Sequence, residues 1–173
     1  MKYILKLSFW ALIICCLLGI WTVSCSESDC GMLSRPMIKF RFFSYEQPKT
    51  EIQITDTLTV LTRYSSNGGD SILINKERNV KTIMIPYGYT QKETTYVFRY
   101  SSPTFVITDT LWVEHTNRDH FISMDCGISV FSHIDNIKFT KHVIDSLAIV
   151  NPELDNDEKD NVHIYYSTAT TDE

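Results

Sequence analysis

Met37-Ile38-Lys39-Phe40-Arg41-Phe42 decides how the chain is read. Successive side chains of an extended strand point to opposite faces, so Ile38, Phe40 and Phe42 share one side and Lys39 and Arg41 the other. That is a half-buried strand, apolar toward a core and cationic toward water. The same period of two fits residues 57–63, 80–85, 94–100 and 104–115, then 120–124, 127–133, 136–140, 144–150 and 162–166. Helical spacing is hard to find beyond Met37. Short β segments separated by turns predict one all-β domain, an immunoglobulin-like or Greek-key β-sandwich of about eight to ten strands, with a small closed β-barrel as the alternative.

Turn chemistry supports this reading. A local signature, D-[ST]-[LI]-x-[VI], begins at Asp56, Asp70, Asp109 and Asp145, at offsets of 14, 39 and 36 residues. Without a fixed period it is no repeat array. Asp and hydroxyl side chains satisfy turn backbone just before apolar residues alternate inward, so the signature reads as the chemistry of strand starts. Asn67-Gly68-Gly69-Asp70 is the clearest turn, followed by Pro86-Tyr87-Gly88-Tyr89. Residues 151–161 (NPELDNDEKDN) read as an acidic loop, and 167–173 (STATTDE) as a disordered tail.

The start of the chain speaks of address. Lys2 and Lys6 precede Leu7 to Val23, a run without charge, and Ser24-Cys25 is followed at once by Ser26-Glu27-Ser28-Asp29. A positive segment, an apolar run and a small residue before cysteine mark an exported lipoprotein, cut before Cys25 and acylated on its thiol. Each buried methylene of the acyl chains contributes about 0.8 kcal/mol of membrane affinity. Thr22 departs from the leucine usual three positions before the cysteine, and an uncleaved signal anchor is the alternative. The expected organisation is a signal peptide at 1–24, a lipidated Cys25 with a short tether at 25–35, the all-β domain at 36–166 and the tail.

Composition narrows the function classes. Of 173 residues, 16 are basic and 21 acidic; the leader removes two of the basic ones and leaves 149 residues at minus 7. No basic stripe exists to displace counterions, so nucleic acid is not an expected partner. A chain this long buries about 68–70% of its unfolded surface, enough for a core without metal staples. Of five cysteines, Cys15 and Cys16 leave with the leader and Cys25 takes the lipid. Cys30 and Cys126 remain and read as one disulfide in an oxidising compartment, with reactive or metal-binding thiols as the competing reading.

Candidate chemistry is sparse. Asp155, Asp157, Glu158 and Asp160 gather hard oxygen donors for calcium, but Lys159 stands at the fifth position of the expected loop and no glycine follows, so a solvated loop is preferred. His115, His120, His133, His142 and His163, with Asp119, Asp125 and Asp135 among them, lack the short spacings of a zinc site. No G-x-S-x-G, H-E-x-x-H, S-x-x-K or phosphate-cradling glycine loop is present. No cofactor is expected. Trp112, Tyr87 and Tyr89, with Tyr96 and Tyr100, offer a stacking platform for sugars, against the ordinary use of such rings in sheet packing.

His120-Phe121-Ile122-Ser123-Met124-Asp125-Cys126-Gly127, with Phe131, Ile144-Asp145-Ser146, Asn151-Pro152 and Asn161-Val162-His163-Ile164, resembles a lipoprotein family of Bacteroidetes known only as a domain of unknown function. Cys30 and Pro36-Met37 fit the same pattern, over essentially the whole exported domain. The resemblance brings no catalytic residues; it implies the lipoprotein reading and the Cys30–Cys126 pairing. Ser26 after the cysteine is similar to outer-membrane sorting, and Glu27 and Asp29 resemble the acidic surface-export signal of that phylum. The expectation is an outer-membrane lipoprotein, on the periplasmic face or the cell surface, serving as a non-enzymatic accessory or binding module for an envelope protein or glycan. A glycan-active hydrolase and a calcium-dependent adhesin-like module are the alternatives.

Overall fold

The computed structural model describes residues 37–46, 49–63, 69–124, 126–155 and 159–167. Contacts divide the chain into two units, Met1–Cys30 and Gly31–Glu173, and every described residue belongs to the second. The leader, Cys25 and the rest of the tether with Cys30, and the tail from 168 onward lie outside the described residues.

Among the described residues run ten strands: β1 (Met37–Ser44), β2 (Thr57–Arg63), β3 (Asp70–Glu77), β4 (Thr82–Pro86), β5 (Glu93–Ser101), β6 (Val106–Ser123), β7 (Gly127–Phe139), β8 (Ile144–Ile149), β9 (Glu153–Leu154) and β10 (Val162–Tyr166). They form a four-stranded sheet ordered β4-β1-β10-β8 and a six-stranded sheet ordered β3-β2-β5-β6-β7-β9. Neither sheet closes on itself, so the fold is a β-sandwich rather than the barrel alternative. All pairings are antiparallel except β1 with β10, which run parallel from Phe40 opposite Val162 to Ser44 opposite Tyr166.

The alternation in β1 does what its pattern predicts. Ile38, Phe40 and Phe42 are fully buried, and Phe40 meets Tyr96 and Phe98 of β5 edge-to-face at 6.1 and 5.9 Å. Leu58, Val60, Leu111, Val113, Ile134, Val162 and Ile164 complete the core between the sheets. Burying each such side chain contributes about 1.5–3 kcal/mol.

Besides the two-residue β9 inside the expected loop of residues 151–161, two features differ from the sequence reading. Residues 104–115 and 120–124 fall largely within the single strand β6, and 127–133 and 136–140 largely within β7. Thr116 to Asp119 are polar on both faces because this part of β6 extends past β5, whose last rung is Glu93 opposite Glu114. Solvent on both faces erases alternation. A bulge also interrupts the register: Glu114 pairs with Asn136 and His115 with Ile134, leaving Asp135 as the extra residue. The second difference is Asp109. It lies inside β6 rather than at its start, is fully buried, and serves a turn that follows β7. Its carboxylate accepts the amides of His142 (2.9 Å), Val143 (2.8 Å) and Ile144 (3.1 Å) and the Thr140 hydroxyl (2.7 Å).

Candidate functional site

Beside the bulge at Asp135 lies a groove of about 720 Å³, walled by Thr90 to Glu93 on one side and by Glu114 to Asn117 and Asp135 on the other. Behind it lies a buried polar network built by the β4–β5 connection and the β6–β7 ladder. Asn117 Nδ2 donates to the carbonyls of Tyr89 and Gln91, which fixes its Oδ1 as an acceptor. His115 Nδ1, 2.8 Å from that oxygen, therefore carries the proton, and Nε2 accepts from the Thr94 hydroxyl at 3.1 Å. Thr94 Oγ1 in turn accepts the Gly88 amide at 2.9 Å. Ser132, fully buried, donates to Asn117 Oδ1 at 2.6 Å and bonds the Tyr87 hydroxyl at 2.7 Å. Burial pushes the His115 imidazole below its ordinary pKa, against the upward pull of Asn117 and Asp135.

Thr94, His115 and Asn117 thus have the order of nucleophile, base and orienting group. The hydroxyl is nevertheless closed off. Thr94 is 5% exposed, and both lone-pair and proton sides of its oxygen are engaged. The arrangement pins the β4–β5 connection to β6 and keeps the groove wall in one geometry.

The mouth of the groove is charged. Glu93, Glu114 and Asp135 face it with Lys92. Lys138 Nζ bonds Glu114 Oε1 at 2.5 Å and holds that carboxyl below its usual range. Thr116 Oγ1 donates to Asp135 Oδ2 at 2.7 Å. Every residue lining the groove is polar or charged, while their aliphatic stems supply much of its wall, which suits a partner with both polar groups and apolar faces.

The residues singled out from sequence are dispersed. Tyr87 is buried, with its ring 5.0 Å from that of His115, and Tyr96 and Tyr100 are buried in the core. Trp112 alternates with Leu111 and Val113 and so lies on the opposite, outer face of the six-stranded sheet, whereas Tyr89 is exposed beside the groove. The rings therefore do not share one surface. The five histidines do not meet either: His120 stacks on Phe131, His133 bonds Glu153, His142 bonds Asp109, and His163 packs on Phe43. Asp160 pairs with Arg41 Nε at 2.7 Å and Lys39 Nζ at 3.4 Å; burial raises its pKa, and the two cations outweigh that and leave it lowered. Asp155 lies just past β9, and Asp157 and Glu158 lie outside the described residues. Among the described residues no group of three or more His, Cys, Asp or Glu side chains is placed to hold a metal ion. Cys126 sits at the turn between β6 and β7, where its amide bonds Ser123 Oγ at 3.1 Å; Cys30 lies outside the described residues.

Sequence reasoning missed the network because its members are spread from Tyr87 to Ser132 and none carries a motif. Asn161 was singled out by the family resemblance, but its role was not legible for a similar reason. That side chain, 3% exposed, accepts the Lys39 amide and donates to the carbonyls of Asn151 and Glu153, tying β1 to the β9 segment.

Fold and groove define an all-β sandwich with an open cleft lined by polar and charged residues. The chain belongs to DUF6452, a family of unknown function, whose model matches residues 57–166. No curated protein and no solved structure matches it.

Proposed function

We propose that the protein is an outer-membrane lipoprotein, anchored through Cys25, whose sandwich is a non-enzymatic accessory or binding module of the cell envelope. The groove at the Asp135 bulge is where it receives an envelope protein or glycan. One observation carries this reading: every polar group behind the groove is already bonded to another protein group, so the wall is rigid and its one hydroxyl–imidazole pair is shut away from solvent. A preorganised wall favours binding because little freedom is lost on association. The Cys30–Cys126 disulfide belongs to the same proposal; closing a loop of that length contributes about 4–5 kcal/mol in the chain-entropy model.

The test is recovery from crosslinked envelopes. Wild-type protein brings down a protein or glycan that the Glu93→Lys/Asp135→Lys variant does not. Equal recovery by both, or none by either, defeats the groove assignment. A hydrolase remains the second reading because three carboxylates, Glu93, Glu114 and Asp135, line one groove. A general acid needs a raised pKa, and Glu114 is held in the other direction by Lys138. Glycan release by wild-type protein that Glu114→Gln abolishes would decide for that reading.

A further inference from the structure

Past Ser132, β6 and β7 have no third strand beside them among the described residues, and the rungs Arg118–Phe131, Asp119–Val130, His120–Ser129, Phe121–Ile128 and Ser123–Gly127 form a projecting arm. Gly127 closes it with φ of 75°, a conformation glycine adopts without strain. The tip is apolar and bare. Phe121 and Ile128 face each other across the ladder at 58% and 64% exposure, and Met124 in the turn is 91% exposed. A two-stranded ribbon is marginal in water by itself, and three uncovered large apolar side chains at its end add to that cost.

We propose that this tip inserts into the interface of the bilayer to which the protein is anchored. The inference rests on the anchor and disulfide proposed above. Four residues separate Cys25 from Cys30, and the five extended steps between them reach about 18 Å at most. Pairing of Cys30 with Cys126 adds the roughly 6 Å span of a disulfide and would therefore hold the turn between β6 and β7 within about 24 Å of the acylated cysteine. Met124 and Ile128 are each two residues from Cys126, so the apolar tip is the part of the domain kept nearest the lipid. Apolar groups at an interface sit about 5–10 Å into the boundary of headgroups and chains, within reach of side chains on such a turn. Charge does not draw the arm there: Arg118, Asp119 and Asp125 sum to minus 1. The attraction is apolar and insensitive to salt.

The experiment uses mature acylated protein in phosphatidylethanolamine–phosphatidylglycerol vesicles with doxyl-labelled lipid as quencher. Trp10 and Trp21 leave with the leader, so Trp112→Phe gives a silent background for one reporter at a time. Phe121→Trp and, independently, Ile128→Trp are expected to lose about half their emission or more to the labelled lipid, at low and at high salt alike. Ile72→Trp, at the opposite edge of the same sheet, is expected to lose none. Emission at 121 and 128 that labelled lipid leaves unchanged overturns the proposal, whether the tip is in water or shielded from iodide by another protein. Mass spectrometry on the same sample separates the two readings: protein without acyl chains, or not bound to vesicles, removes the anchor and this inference with it, whereas acylated, bound and unquenched protein removes only the inference.

Discussion

Replacing Asp109 by alanine withdraws the acceptor for three consecutive turn amides and one hydroxyl at a position with no access to solvent. A hydrogen bond to a charged group contributes about 1.5–3 kcal/mol, and an orphaned buried donor costs about 1–3 kcal/mol. These terms do not add in full. Thr140 is half-buried and His142 exposed, so both can recruit water, whereas Ile144 is 1% exposed and its amide cannot. The expected loss is about 3–5 kcal/mol for Asp109→Ala, the range for breaking a buried polar network, and about 2–3 kcal/mol for Asp109→Asn, which keeps one acceptor oxygen. Urea denaturation at neutral pH checks it, as a lower midpoint at unchanged slope. The carboxylate also predicts a pH dependence. Burial pushes its pKa up, and the three amides with the Thr140 hydroxyl outweigh that and bring it below the ordinary value. Because the folded pKa is the lower one, its stabilisation is present above about pH 3.9 and is lost as pH falls through the folded value. An alanine variant that loses less than about 1 kcal/mol would refute the claim that this side chain organises the 140–144 turn.

Further outcomes follow from the same geometry. Tyr100→Phe strips the buried Tyr166 hydroxyl of its 2.9 Å partner and is expected to cost about 1–3 kcal/mol, while adding Tyr166→Phe recovers part of it; a double-mutant cycle in urea measures the coupling. His115, neutral and pushed to a lower pKa by burial, stabilises the fold above its unfolded value of about 6.5 and loses that contribution as pH falls through the folded value; the melting temperature of His115→Gln should flatten over that window relative to wild type. Chelator should leave the melting temperature unchanged, since Asp160 is bonded to Arg41 and Lys39, and a fall on chelation would restore the calcium reading. Asp160→Asn, at a partly exposed network, should cost about 1 kcal/mol.

What could be read in advance depended on whether a residue's neighbours in sequence shared its environment. β1, β2 and β10 have one face in the core along their length, and alternation located them within a residue or so. β6 begins in the sandwich and ends in the arm, so its pattern changes halfway and reads as two strands. β9, two residues paired with Ser132 and His133, is too short to carry a period and was hidden in the acidic loop. The groove was illegible for another reason. His115 and Asn117 are two residues apart, but the partners that give them meaning, Thr94 of β5, Ser132 of β7 and the carbonyls of Tyr89 and Gln91 in the β4–β5 connection, arrive from three other parts of the chain. Asp109 was legible as a turn-binding side chain through its signature, yet the turn it binds lies more than thirty residues further along.

The parallel contact between β1 and β10 joins the first described strand to the last. Remove β10 and the four-stranded sheet falls into two fragments, β4 with β1 on one side and β8 alone on the other. A chain supplied from its amino end cannot finish this sheet until Tyr166 has followed. Early segments must wait for a partner that is made and delivered late, with the long loop closure that slows such assembly. The topology therefore makes β10 the last piece of the four-stranded sheet and leaves the two fragments unjoined until it arrives.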